Sequence, residues 1–120
     1  MALDPEETLT FQEYQEATEA TAIYPEAGRG TPMALAYVGL GLGESGEVQG
    51  KIKKIIRDSD GEISNEARAA IGKELGDQLW YIGRVAAELG LSLGVIAVNN
   101  LEKLSSRKER GVLGGSGDDR

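Results

Sequence analysis

Two acidic pairs with matching spacing stand out in the chain, Glu44-x-x-Glu47 and Glu74-x-x-Asp77. At about 100° per residue, a three-residue offset puts both members of a pair on one helix face. Lys51 and Lys54 follow Glu47 on the same face, beside an apolar stripe of Val48, Ile52 and Ile55. The later pair repeats the plan. Glu74, Asp77, Tyr81, Arg84 and Glu88 share one arc, and Leu75, Leu79, Ile82 and Leu89 share its neighbour. Burial at roughly 25 cal/mol per Å² draws apolar stripes together, so both carboxylate pairs are expected to flank one seam. Carboxylates crowded at a partly dry seam repel unless neutralised. An oxygen-loving divalent cation neutralises them, and the lysines suit an anion such as phosphate. The same residues also suit a solvated helix face with i,i+4 pairs such as Glu47–Lys51, and spacing alone leaves both readings open.

Composition narrows the chemistry. The 120-residue chain has no histidine and no cysteine, and its net charge is −7. A Ser-His-Asp triad, imidazole or thiolate metal ligands and disulfides are therefore excluded. Any metal must be held by oxygen, which favours Mg²⁺, with Mn²⁺ or Ca²⁺ as alternatives. The negative balance argues against a broad surface for DNA or RNA. No apolar run approaches the roughly 18 residues of a membrane span. The start, MALDPEETL, lacks the apolar stretch of a signal peptide, so a cytoplasmic address is expected (the host cytoplasm if the chain is viral).

The elements that must carry these residues are helical. Residues 6 to 23 are rich in helix formers with three-and-four spacing of Leu9, Phe11, Tyr14, Ala17, Thr18 and Thr21. Thr31-Pro32 reads as an N-cap and first-turn proline, opening a second helix to about Arg57. A third helix is predicted from about Asn65 to Glu88, closed by Gly90, and a fourth from Ser92 to about Glu109. On the fourth, Asn100, Lys103 and Arg107 share a face, where an amide and an ammonium can meet sugar hydroxyls and phosphates. For Arg107, Lys108 and Arg110 the better reading is a basic last turn complementing the helix dipole. Short connections between four helices imply an all-α, four-helix bundle-type domain over residues 1–111, with a flexible tail over 112–120. A narrow apolar stripe on each helix of a 120-residue chain fits a need for partners, such as a homo-oligomer would supply.

Two look-alike motifs fail on context. GLGESG, residues 41–46, spells the G-x-G-x-x-G of a dinucleotide loop. Only 11 residues separate Gly46 from Asp58, too few for a crossover helix and second strand. The glycines instead fall inside the second helix, where Gly39, Gly43, Gly46 and Gly50 are expected to line one side and admit a close neighbour. DSDGEIS resembles the centre of an EF-hand loop, but Ile56 and Ala67 occupy the first and twelfth ligand positions. It reads as a polar turn.

Taken together, GLGLGESGEVQGKIKKIIRD, KELGDQLWYIGRVAAELGLSL and NNLEKLSSRKERG resemble the MazG-like family of all-α nucleoside triphosphate pyrophosphohydrolases, over roughly residues 35–111. The family pattern, E-x-x-E then E-x-x-D, falls on Glu44, Glu47, Glu74 and Asp77. The resemblance implies hydrolysis of a (d)NTP to (d)NMP and pyrophosphate, with Mg²⁺ (or Mn²⁺) on the four acids and Glu44 or Glu47 positioning the water. It further implies phosphate contacts from Lys51, Lys54 and Lys103, a sugar or phosphate contact from Asn100, and Tyr81 packed on the nucleotide. The first helix would help form the base pocket, through Gln15, Thr18 and Tyr14; the alternative is a core Tyr14 with Gln15 and Thr18 solvated. Trp80, off the acidic arc, is read as packing. Relatives assemble as dimers or dimer-of-dimers tetramers. A purine substrate, (d)GTP, is expected from the small residues of the first helix, and a role in house-cleaning or phage nucleotide metabolism. The alternative function is a non-catalytic helical interaction or metal-binding module.

Overall fold

The computed structural model describes residues 8–120. The expected first helix began at Glu6, so its start lies outside the described residues. Thr10 opens α1 (Phe11–Ala17) through a capping box: its hydroxyl accepts the Glu13 N–H at 3.0 Å, and the Glu13 carboxylate accepts the Thr10 N–H at 3.1 Å. A single 3-10 turn, Thr18–Thr21, ends this segment. Thr31 caps α2 (Pro32–Gly41), with proline in the first turn as the sequence predicts. A second 3-10 turn, Leu42–Glu44, joins α2 to α3 (Ser45–Asp58). DSDGEIS is a turn, with Asp60 and Gly61 at φ 50° and 80°. Ser64 then caps α4 (Asn65–Glu88) and Ser92 caps α5 (Leu93–Glu109). Gly90 takes a φ of 69° between them, and the helix direction changes by 105° from α4 to α5. No strand is present among the described residues, and no single helix there is long and apolar enough to cross a membrane.

The structure corrects the sequence reading at three points. The second helix is not continuous: it breaks at Leu42–Glu44, inside GLGESG, where closely spaced glycines weaken helix propensity. The glycine that admits a close neighbour is Gly41, not the set expected. A Cβ built at Gly41 would fall inside the Tyr81 ring, whereas Gly39, Gly43, Gly46 and Gly50 have nothing within 4 Å. The apolar stripe of α4 does not close a seam within the chain. Leu75, Ile82 and Leu89 are 55%, 41% and 52% exposed, while Arg84 and Glu88 of the polar arc are buried.

That inverted orientation has a structural cause. The chain's own core is small: Tyr24, Ala34 and Val38, with Ala22, Ala27, Trp80, Tyr81 and Val85 packed on them. α3 buries no residue at all. The radius of gyration is 17.2 Å, against about 14 Å for a compact domain of this length. A polar network adds to this packing in holding α4 to the N-terminal segment. Glu88 accepts hydrogen bonds from the Tyr24 hydroxyl and from the N–H groups of Gly28 (2.8 Å) and Gly30 (2.9 Å). Positive φ at Gly28 and Gly30, 81° and 66°, shapes the loop that makes this approach. Arg84 lies 3.7 Å from Glu88 and donates to the Tyr24 hydroxyl and to Thr18, each at 3.2 Å.

Burial pushes the Glu88 carboxyl up. The Tyr24 and glycine hydrogen bonds and the Arg84 charge outweigh it and hold the group below the usual carboxylate range. A depressed folded value adds stability above the unfolded value, and that stability is lost as pH falls through the folded one. Glu88→Ala strands the buried Arg84 guanidinium and is expected to cost about 3–5 kcal/mol in urea unfolding at pH 7. The penalty shrinks in acid, where the wild type also loses the ionised carboxylate. A cost under about 1 kcal/mol at pH 7, in the range of an exposed pair, contradicts this account of the fold.

Candidate active site

The break in GLGESG decides where the first acidic pair stands. Glu44 ends the 3-10 turn and Glu47 lies in the first turn of α3. Glu74 and Asp77 project from the middle of α4, on the same arc as the buried Arg84 and Glu88. The arc therefore faces α3 at this level, and the two pairs meet across the α3–α4 contact.

The Glu47 carboxyl lies beside that of Glu74. That contact, then partial burial and the charges of Glu47 and Asp77, raises the Glu74 carboxyl above its ordinary value; the Lys51 ammonium pulls the other way. Glu44 and Asp77 line a cleft of about 220 Å³ with Trp80 and Tyr81. The Tyr81 hydroxyl donates to Glu44 Oε1 at 3.4 Å. Burial and the Glu44 charge push that phenol upward. The four acids thus form two neighbouring groups, Glu47 with Glu74 and Glu44 with Asp77, coupled through the Asp77 charge on Glu74.

Among the described residues no three carboxylates are gathered as a ready-made ion cage. The donors nonetheless fit an oxygen-seeking divalent cation. They are all carboxylates, and they are crowded enough that Glu74 holds its proton more tightly than usual. A dication relieves that crowding in place of the proton.

The lysines divide. Lys51 lies close enough to act on Glu74, and together with Lys54, Ile55 and Asp58 it lines a depression of about 260 Å³ at the outer end of the α3–α4 contact. Lys54 acts on the Asp58 carboxylate there. Asn100 and Lys103 line a different depression, on α5, with Ile96 and Asn99. The chain does not bring them to the acids. Lys103 pairs with Asp118 of the C-terminal segment at 2.8 Å, and Arg107 reaches the same carboxylate at 3.2 Å.

The first-helix candidates stand apart from the cleft. Gln15 donates to the Leu91 carbonyl at 2.8 Å and accepts the Leu93 N–H at 2.9 Å, tying α1 to the α4–α5 corner. Thr18 donates to the Gln15 carbonyl at 2.6 Å and accepts from Arg84. Both are buried, the opposite of the solvated alternative, and their polar groups are engaged within the chain. Tyr14 is the α1 side chain that senses the site: burial, then the Asp77 charge, raises its hydroxyl.

Spacing missed several contributors. Trp80 packs within the chain, edge-on to Tyr24 and Tyr81, and its indole N–H donates to Thr21 at 2.9 Å while the ring walls the cleft. Gln78 reaches the turn that carries Glu44. A glutamine next to Asp77 on an otherwise polar arc was the only hint of it in the sequence.

These positions lie within the span of a known family's domain. The sequence model of the MazG nucleotide pyrophosphohydrolase domain matches residues 35–112, from mid-α2 to just past α5. A curated relative, the Gene 37 protein of Mycobacterium phage L5, is 50% identical over 109 residues, covering 89% of this chain and 96% of the phage protein. No solved structure matches the chain. By the domain match over most of its length and by its phage relative, the chain belongs to the MazG nucleotide pyrophosphohydrolase domain family.

Proposed function

We propose that the chain is a Mg²⁺-dependent pyrophosphohydrolase converting a (d)NTP to (d)NMP and pyrophosphate. The observation that carries this reading is the convergence of the two acidic pairs where α3 packs on α4: Glu44 and Asp77 line one cleft, and Glu47 lies beside Glu74 and Lys51. A helix pair built only for stability gains nothing from two carboxylates in contact. Glu44, Glu47, Glu74 and Asp77 would hold the ion, with Mn²⁺ as a substitute. When bound, Mg²⁺ supplies positive charge to the triphosphate oxygens and lowers the barrier to attack by water.

The chain's own groups do the remaining work. Glu47 or Glu44 accepts the proton of the attacking water. Lys51 and Lys54 line the path of the departing pyrophosphate. Tyr81 and Trp80 wall the cleft beside Glu44 and Asp77 and offer ring surfaces to the nucleotide. Base choice is assigned to α1 through Tyr14, whose hydroxyl feels the Asp77 charge, with Gln15 and Thr18 serving to hold α1 in place; a purine, (d)GTP, is the proposed preference. The similarity to a phage protein supports a role in the nucleotide pool of an infected cell, in the host cytoplasm.

The working unit is a homo-oligomer, a dimer or a dimer of dimers. Support comes from the outward stripe of α4 and from exposed Ile56 and Leu101, each 67% accessible in the single chain. Since α5 turns away from α4, Asn100 and Lys103 reach a triphosphate only in such an assembly. Neither nucleic acid nor membrane is a proposed partner.

Incubation with each (d)NTP and Mg²⁺ should release pyrophosphate and monophosphate in equal amounts, and Glu47→Gln should lower kcat by about 10²–10⁴-fold. Folded protein that releases nothing from any nucleotide leaves the interaction-module reading standing. Light scattering should give a mass of two or four chains, and Ile82→Glu, on the outward stripe, should shift it toward one. A wild-type monomer contradicts the assembly.

A further inference from the structure

The strongest unused feature is the way α4 grips the short turn between α2 and α3. No side chain from the turn caps α3, whose first N–H, that of Ser45, turns back onto the Leu42 and Gly43 carbonyls. Gln78 adds a hold on the same groups from α4. With its amide in the orientation that satisfies both polar atoms, Nε2 donates to the Leu42 carbonyl at 3.2 Å and Oε1 accepts the Ser45 N–H at 3.0 Å. The two bonds bracket Gly43 and Glu44. Three residues along α4, the Tyr81 ring lies over Gly41, in space that any Cβ would take, and its hydroxyl reaches Glu44. The turn is thus held from one side by two α4 residues, through its backbone and through its acid.

We infer that Gln78 and Gly41 are positioning residues for Glu44, which fix the direction in which the 3-10 turn presents this carboxylate to a divalent cation. The inference rests on the metal-binding reading given above. An uninterrupted helix from α2 into α3 would set Glu44 by helical geometry alone. The glycine-rich break frees it from that geometry, and the α4 grip fixes it again. Gln78 touches neither ion nor substrate in this role, and acts only through the turn.

Mn²⁺ is the probe, its free concentration read by electron paramagnetic resonance with the full chain. Outer groups that orient metal ligands typically matter by 10–100-fold in affinity. Gln78→Met is expected to bind Mn²⁺ about tenfold more weakly, with a thermal midpoint within a few degrees of wild type. In turnover, the Mg²⁺ concentration for half-maximal rate should rise by a similar factor while kcat at saturating Mg²⁺ is largely kept, a split that general destabilisation does not produce. Gly41→Ala should weaken Mn²⁺ binding in the wild-type background and have little effect once Tyr81→Ala has removed the ring. Glu44→Gln is the control for the underlying reading. Unchanged affinity in Gln78→Met, with loss in Glu44→Gln, overturns the positioning role alone. Unchanged affinity in Glu44→Gln overturns the metal reading and the positioning role with it. Should Gln78→Met fail to fold, the Gly41–Tyr81 pair decides: a Gly41→Ala effect that persists without the Tyr81 ring overturns the inference.

Discussion

The buried Arg84–Glu88 pair sets the rotation of α4, and the rest of the molecule follows from that rotation. Both side chains are almost wholly withdrawn from solvent, 3% and 0% exposed. Ions in that position are stable only when every lobe of charge is met. Tyr24, Thr18, Gly28 and Gly30 meet it, and they come from the segment before α2. α4 must therefore present its polar arc to its own chain. The apolar stripe on the neighbouring arc is then turned outward, where the proposed second chain would cover it.

The same arc serves two chemistries along its length. Glu88 lies 14 residues beyond Glu74, or about 20 Å along the helix. At the Glu88 end every negative charge has a donor. At the Glu74 end, acids from both helices face one another, and among the described residues Lys51 is the cation acting on Glu74. The contrast shows that crowding at the α3–α4 contact is not a general property of an acidic chain. It is local, it lies beside a cleft walled by Trp80 and Tyr81, and it is of the kind a divalent ion relieves.

Much of this was legible in the sequence. Thr31-Pro32 and Ser92 marked helix starts through local capping chemistry, which needs no tertiary information. The acidic pairs were legible because helical spacing alone puts their members on one face. The orientation of α4 was not. A stripe of Leu75, Ile82 and Leu89 predicts burial, but within one chain a polar network competes for the inward position, and periodicity cannot rank the two. The burial of Gln15 and Thr18 was hidden for the same reason: short-range pattern does not reveal partners more than 60 residues away, such as Leu91, Leu93 and Arg84. GLGESG carried the most ambiguous signal. Its glycines mark neither a phosphate loop nor an uninterrupted helix, but a turn that sets Glu44 apart from Glu47 and gives Tyr81 room at Gly41.

The central claim is that these acids direct water at the α-phosphorus of a nucleoside triphosphate. Hydrolysis in ¹⁸O-labelled water tests it most directly, with the products resolved by mass spectrometry. The account predicts one heavy oxygen in the nucleoside monophosphate and none in pyrophosphate, with turnover abolished when the divalent ion is chelated. Label in pyrophosphate, release of orthophosphate, or turnover that survives chelation contradicts it.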